Sequence, residues 1–250
     1  ERAVREPRRS ALGLLWASQL LEHPGAAAVR GAFNAEVRRL LSQAMAAGCN
    51  SPWCSSAGRL FDAVAALLDL VQVASHDAHA GLLLQAAAGR AQARAGAYPL
   101  PVQAPPSPWS ETAPPDATTE NGLPLLDWQP LLAALLDDIA AGEPTELCAA
   151  RFHQGLINGL TDAVVAHAGP LLASQAMHSA PRRPASAAPS LVLAGGCLQN
   201  RLLLEGLIEA LRCRGWRPHW GEQLPANDGG LAVGQIMALR QRNASSTEHA

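Results

Sequence analysis

Apolar residues recur at helical spacing along most of this chain, and Leu203, Leu207 and Leu211, each four apart, form the clearest run. The pattern predicts helices over 7–22, 35–47, 56–71, 76–94, 127–141 and 145–168. Toward the end the period shortens. Leu191 to Ala194 and Trp216 to Trp220 read as short strands, and each runs through a turn into a new helical pattern. The first turn carries Gly195-Gly196 and the second Asn227-Asp228-Gly229-Gly230. Helices followed by two strand-to-helix units imply a helix-rich α/β class, as part of a domain whose sheet is completed by upstream sequence. Prolines crowd 97–124 too densely for a regular helix, so that segment reads as a long surface loop. The Pro/Ser/Ala stretch 178–189 reads as a flexible insertion, in which Arg182-Arg183 is either a solvated pair or a contact for an acidic partner.

Composition narrows the function classes. With 250 residues, 48% of them hydrophobic, the chain can bury a sizeable core. A formal net charge of -2 argues against bulk nucleic-acid binding. All 19 basic residues are arginine, which excludes a lysine-based phosphate loop or a Schiff base. The five cysteines, Cys49, Cys54, Cys148, Cys197 and Cys213, form no CxxC pair and read as reduced thiols of a cytoplasmic protein. No uninterrupted apolar run has membrane length, so no membrane partner is expected.

Three groups of residues are candidates for chemistry. The glycine turns are candidate places for a phosphate, a nucleotide or a metal; at Gly195-Gly196 the strand-to-helix turn directs backbone N–H groups toward an anionic ligand, and Asn200 adds a donor and an acceptor. The same residues also suit a tight connection in which Asn200 satisfies local backbone. Asp228 sits beside two glycines at a helix start, where a carboxylate serves as an N-cap or as a ligand for a hard cation. Gly58, Arg59 and Asp62 share one helix face, with Phe61, Val64, Leu67 and Leu68 mainly on the core-facing side. Ser55 and Ser56 suit N-cap positions. His153 lies in an apolar helix and reads first as a packed residue. His76 and His79 read as solvated residues at a helix start.

Four segments together resemble the carbamoyltransferase HypF family, in the second half of its Kae1-like domain. They are Ser55-Ser56-Ala57-Gly58-Arg59-Leu60-Phe61-Asp62-Ala63-Val64, Arg151-Phe152-His153, Gly195-Gly196-Cys197-Leu198-Gln199-Asn200-Arg201 and Pro225-Ala226-Asn227-Asp228-Gly229-Gly230. They occur in the family's order. The resemblance implies an actin-like, sugar-kinase-like ATPase fold, incomplete in this chain. It implies nucleotide contacts, for ATP or carbamoyl-adenylate, at Gly58, Arg59, Asp62, Gly195, Gly196 and Asn200, with Asp62 holding the ribose. Asp228 would then bind a divalent metal together with two histidines of an upstream HxxxH motif. His76 and His79 fall where the family commonly has Tyr-Glu-Gly-Gln and are not assigned to that motif. Cys197 replaces a usual hydrophobic residue and reads as packing. The implied activity is transfer of a carbamoyl group, derived from carbamoyl phosphate, to the C-terminal cysteine of HypE during hydrogenase cyanide-ligand synthesis. The chain starts at Glu1, and Arg5-Glu6-Pro7 resembles an internal family segment, so upstream acylphosphatase-like, zinc-finger and YrdC-like modules are expected in a longer protein. A non-catalytic remnant of the same fold is the alternative. The related tRNA threonylcarbamoyl-transfer family shares the fold, but its GEAFDK-like and GGVAAN-like segments fit less well.

Overall fold

A computed structural model describes residues 2–91, 96–103, 125–168 and 188–247, with the side chains of 241–247 excepted. The chain divides into two compact units, Glu1–Ala180 and Pro181–Ala250.

The first unit is helical. Its elements are α1 (Arg2–Arg5), α2 (Pro7–Ala17), a 3-10 turn at Pro24–Ala26, α3 (Ala27–Gly31), α4 (Ala35–Ala46), α5 (Ala57–Leu67) and α6 (His79–Ala88). A two-residue antiparallel ribbon follows, β1 (Val102–Gln103) with β2 (Leu125–Leu126). Then come α7 (Gln129–Ala141) and α8 (Thr145–Ala163), the latter running on into a π turn at Val164–Ala168. Local signals set several ends. Pro7 and Pro130 occupy first-turn positions, where a missing N–H costs nothing. Asn34 Oδ1 accepts from Val37 N at 2.8 Å and caps α4. Gly142, at φ +78°, closes α7.

Helix α5 is the centre of this unit. Every residue from Phe61 to Leu67 is buried, so the helix is enclosed all round rather than on one stripe. It packs against α2, through which Ala11, Leu12 and Leu15 are buried, and against α3 and α6. Phe61 meets Phe152 of α8 edge to face, with ring centroids 5.0 Å apart. Arginine forks tie the loops by collecting carbonyls: Arg8 Nη1 donates to Ala32 O (2.6 Å), and Arg38 Nη1 to Arg30 O and Phe33 O (2.7 and 2.9 Å).

The start of the proline-rich segment is not surface loop. Tyr98 and Leu100 are buried, 4% and 8% exposed, on a groove that Gly155 and Gly159 leave along α8. A Cβ at Gly155 would lie 2.6 Å from Tyr98 O, and one at Gly159 2.8 Å from Leu100 O. The Tyr98 hydroxyl donates to Asp138 Oδ2 at 2.6 Å, and Arg151 Nη1 reaches the same oxygen at 2.5 Å. Burial, reinforced by Asp138, pushes the phenol pKa up and keeps it protonated. Residues 104–124 and 178–187, with Arg182-Arg183, lie outside the described residues. Gly155→Ala or Gly159→Ala should displace this segment and lower stability by about 1–3 kcal/mol, the usual cost of overpacking. Chemical denaturation reads this as a lower midpoint, and an unchanged midpoint would show the backbone not to be seated there.

The second unit is a parallel strand pair with its helices. Strands β3 (Ser190–Leu193) and β4 (Arg217–Trp220) pair in register, Ser190 opposite Arg217 and Leu193 opposite Trp220. Helix α9 (Arg201–Cys213) connects them and buries Leu203, Leu207, Ile208 and Leu211. Helix α10 (Leu231–Thr247) follows β4 and leaves Leu231, Ile236 and Leu239 exposed. Parallel strands normally lie within larger sheets covered on both faces. Val192 is 73% exposed, as expected of a sheet that other sequence completes. Among the described residues no helix is long and apolar enough to cross a membrane.

Candidate functional site

In the second unit, two turns leave the carboxyl ends of adjacent parallel strands, the edge at which open α/β sheets bind ligands. Gly195 adopts φ +126°, ψ +156°, a region essentially closed to other residues. Its N–H donates to Ala226 O, 2.6 Å away, which bonds one turn to the other. A single 3-10 turn, Gly196–Gln199, leads into α9, whose N-cap is Asn200: its Oδ1 accepts from Leu203 N at 3.1 Å. Nothing lies within 4 Å of a Cβ built on Gly196, so the fold gives no packing reason for glycine there. Gly13 and Gly81 share that openness, so it is the position at the strand edge that distinguishes Gly196.

The second turn is built tightly. A Cβ on Gly230 would stand 2.8 Å from Pro225 O, and one on Gly229 3.0 Å from Pro225 Cγ. Asn227 Oδ1 accepts from Gly229 N at 3.0 Å and caps the short 3-10 turn Asp228–Gly230 before α10. Capping therefore falls to Asn227, and the two sequence readings of Asp228 separate. The Asp228 side chain is exposed and has no hydrogen-bond or ion-pair partner among the described residues. It offers a free carboxylate to a hard cation. Among the described residues no group of three or more His, Cys, Asp or Glu side chains is placed to hold a metal. Asp228 alone makes no metal site among the described residues.

Gly58, Arg59 and Asp62 occupy the start of α5 in the first unit. Ser56 stands at the N-cap position, although its hydroxyl makes no capping bond. The sequence pattern sets Asp62 on the face away from the core, but the structure leaves it only 8% exposed, because α5 is covered on all sides. Arg59 Nη1 lies 2.8 Å from Asp62 Oδ2, and it also donates to Ala3 O at 3.3 Å. The ion pair is close, yet no N–H points at Oδ2, which lacks a directed hydrogen bond among the described residues. Burial pushes the Asp62 pKa up to about 6 against the opposing pull of Arg59. Asp62 Oδ2 thus faces the Arg59 guanidinium and is closed to solvent.

The remaining candidates resolve as structural residues. His153 is 3% exposed, with Nδ1 2.8 Å from Ala149 O and its ring edge-on to Phe61 and Phe152. Burial lowers its pKa, so the ring is neutral and Nδ1–H donates to that carbonyl. His76 and His79 lie with ring centroids 4.5 Å apart at the start of α6, and Ser75 Oγ is 2.8 and 3.4 Å from their Nδ1 atoms. Cys197 is half-buried and Cys148 fully buried, and none of the five cysteines is in a disulfide. Sequence reasoning missed Ala226 and the capping role of Asn227. A backbone carbonyl has no side-chain signature, so only Asn227 beside Gly229 was open to detection.

Glycine turns at the carboxyl edge of a parallel strand pair, together with a helix-rich first unit, make this a helix-rich α/β chain. The chain belongs to the carbamoyltransferase family described as Kae1-like domain, second subdomain, whose model matches residues 1–235. It is 30% identical over 247 residues to the carbamoyltransferase HypF of Rhizobium leguminosarum bv. viciae, covering 96% of this chain and 26% of that protein. It is also 30% identical over 256 residues to HypF2 of Cupriavidus necator, covering 97% of this chain and 28% of the relative. The chain thus spans about a quarter of these relatives' length. The fold is similar to that of full-length HypF in a phosphate- and nucleotide-bound form, with TM-score 0.70 at 23% identity over 94% of this chain and 26% of that one. HypF of T. kodakarensis is similar too, with TM-score 0.68 at 20% identity over 93% of this chain and 27% of that one.

Proposed function

We propose that this chain is the nucleotide-side part of a carbamoyltransferase that moves a carbamoyl group from carbamoyl-adenylate to the C-terminal cysteine of HypE. The observation that carries the reading is the pair of bonded turns at the carboxyl edge of β3 and β4, in a chain of the carbamoyltransferase family. A related full-length HypF has been solved with phosphate and nucleotide bound, which supports a nucleotide here. In the transfer, the cysteine sulfur bonds to the carbamoyl carbon as the bond from that carbon to the phosphate oxygen breaks. AMP leaves with the electron pair, and the thiol proton is lost to solvent. In the second unit Gly196 leaves room for a ligand to approach and Asp228 would contribute one metal ligand; in the first, Asp62 is the candidate for a ribose hydroxyl. A bound divalent ion would offset phosphate charge as a Lewis acid. These residues would bind and orient the ligand.

The test uses the full-length protein with carbamoyl phosphate, ATP and HypE, followed by mass spectrometry of the HypE C-terminus. Thiocarboxamide formation is expected from the full-length protein and none above background from residues 1–250 alone. A full-length protein that binds nucleotide but makes no thiocarboxamide would favour the remnant reading. Activity from 1–250 alone would overturn the claim that other segments complete the site.

A further inference from the structure

We infer that helix α10 is a docking helix, enclosed in the full-length protein by an upstream segment of the same polypeptide, the first subdomain that this second subdomain accompanies. The inference stands apart from the proposed transfer reaction and needs no ligand at either turn.

Over 231–240 every residue of α10 is exposed, and the only polar side chains there are Gln235 and Arg240. Leu231, Val233, Ile236, Met237 and Leu239 are 38–61% exposed. At about 3.6 residues per turn, these five point round more than half of the helix circumference. A surface helix keeps its apolar residues to one stripe, whereas a helix apolar on so wide an arc is an enclosed one. Its own unit does not enclose it. The core there is Leu203, Leu207, Ile208 and Leu211 of α9 with Trp216 before β4, and 231–240 add no buried residue to it. Val192 and Leu224 of the same unit are exposed as well. Apolar exposure on this scale marks an interaction surface.

The occupant follows from the family match and the length of the relatives. The model that defines the second subdomain ends at Gln235, inside α10, so most of the helix lies outside the matched subdomain. The chain spans about a quarter of its relatives' length, so most of the polypeptide able to cover α10 lies outside this chain. A symmetric pair of copies would lay one face of the helix against its equivalent and leave the rest of the arc in water. Enclosure from several sides calls for the packed interior of a neighbouring subdomain.

The experiment places the photo-crosslinking residue p-benzoylphenylalanine at Ile236, and separately at Leu239, in the full-length protein without nucleotide or metal. After irradiation, mass spectrometry of the digest is expected to join each position to peptides upstream of Glu1, in a product of monomer size on a denaturing gel. Ile236→Asp supplies the second measurement. It is expected to lower the melting temperature by about 5 °C or more, or to yield no soluble protein, because a charge enters an enclosed apolar site. On an open surface the same change leaves stability nearly unaltered. Cross-links only to residues 1–180, a dimer-sized product, no cross-link from either position, or an unchanged melting temperature for Ile236→Asp each overturns the inference. Both readouts are made without substrate, so a full-length protein that fails to form thiocarboxamide leaves the docking of α10 standing.

Discussion

Asp228→Asn in the full-length protein is expected to abolish carbamoyl transfer while leaving the melting temperature almost unchanged. The argument turns on which residue caps the turn. Asn227 does so, through Gly229 N, and Asp228 makes no hydrogen bond or ion pair among the described residues. Removing its charge thus breaks no contact within the chain. Asparagine keeps the size and one oxygen but lacks the charge that a hard cation prefers. Loss of an outer-shell partner already costs 10- to 100-fold in metal affinity or activity, so loss of a direct ligand should cost at least about 100-fold. Asp228→Ala should behave in the same way, because no cap is lost. Near-normal transfer by Asp228→Asn with full metal occupancy would sink the ligand assignment. A large fall in melting temperature would instead show a structural role that the described contacts do not contain.

Asp62→Asn should do two opposite things: weaken nucleotide binding and stabilise the domain. The proposed ribose contact is a hydrogen bond to a charged acceptor, worth about 1.5–3 kcal/mol, so nucleotide affinity should fall roughly 10- to 100-fold. The stability change follows from linkage. Asp62 titrates at about 6 in the fold, raised by burial above its ordinary value of 3.8. Between those values the folded state holds more protons than the unfolded one, so stability falls as pH rises from about 4 to about 6. The cost of the buried charge is absent below that window and complete above it. Asparagine resembles the protonated acid and escapes the cost. The variant should therefore melt at a higher temperature than the parent above pH 6, and the difference should vanish below about pH 4. A melting difference independent of pH would mean that the carboxyl is not desolvated. Unchanged nucleotide affinity would remove Asp62 from the site while leaving the stability argument intact. A residue that lowers stability where it stands is characteristic of function bought against the fold.

Much of the local structure was legible. Helix positions follow from apolar spacing: α4 lies where the pattern placed it, and α5 and α7 begin and end within a few residues of the expectation. The strand-to-helix units were also legible, because a short apolar run, a glycine turn and an amphipathic run are contiguous in sequence. Ends were less so. The pattern ran α2 on to 22 and α6 on to 94, whereas the helices stop at Ala17 and Ala88. Leu20 and Leu21, half-buried in the turns after α2, continue the apolar spacing without continuing the helix, and 92–94 lie outside the described residues. The short helix α3 and the 3-10 turn before it carried too few residues to show a period.

The four motifs, their order and the residue types at Gly58, Asp62, Gly196 and Asp228 are properties of the sequence itself. They sufficed for the family, because membership depends on which residues recur and not on where they sit in space. Tertiary structure decided what each of them faces. The composition of α5 gives Asp62 a helix face, but only the covering of that helix by α2, α3 and α6 makes the face a desolvated one. The proline count of 97–124 speaks against helix, but only the small-residue groove on α8 shows that Tyr98 and Leu100 are core. Asn227 and Asp228 are equal as caps by residue type, and the backbone geometry of one turn assigned that role to Asn227. Gly195 and Ala226 are far apart in sequence and bond through main-chain atoms common to every residue, so only the parallel pairing of β3 with β4 could bring that donor to that acceptor.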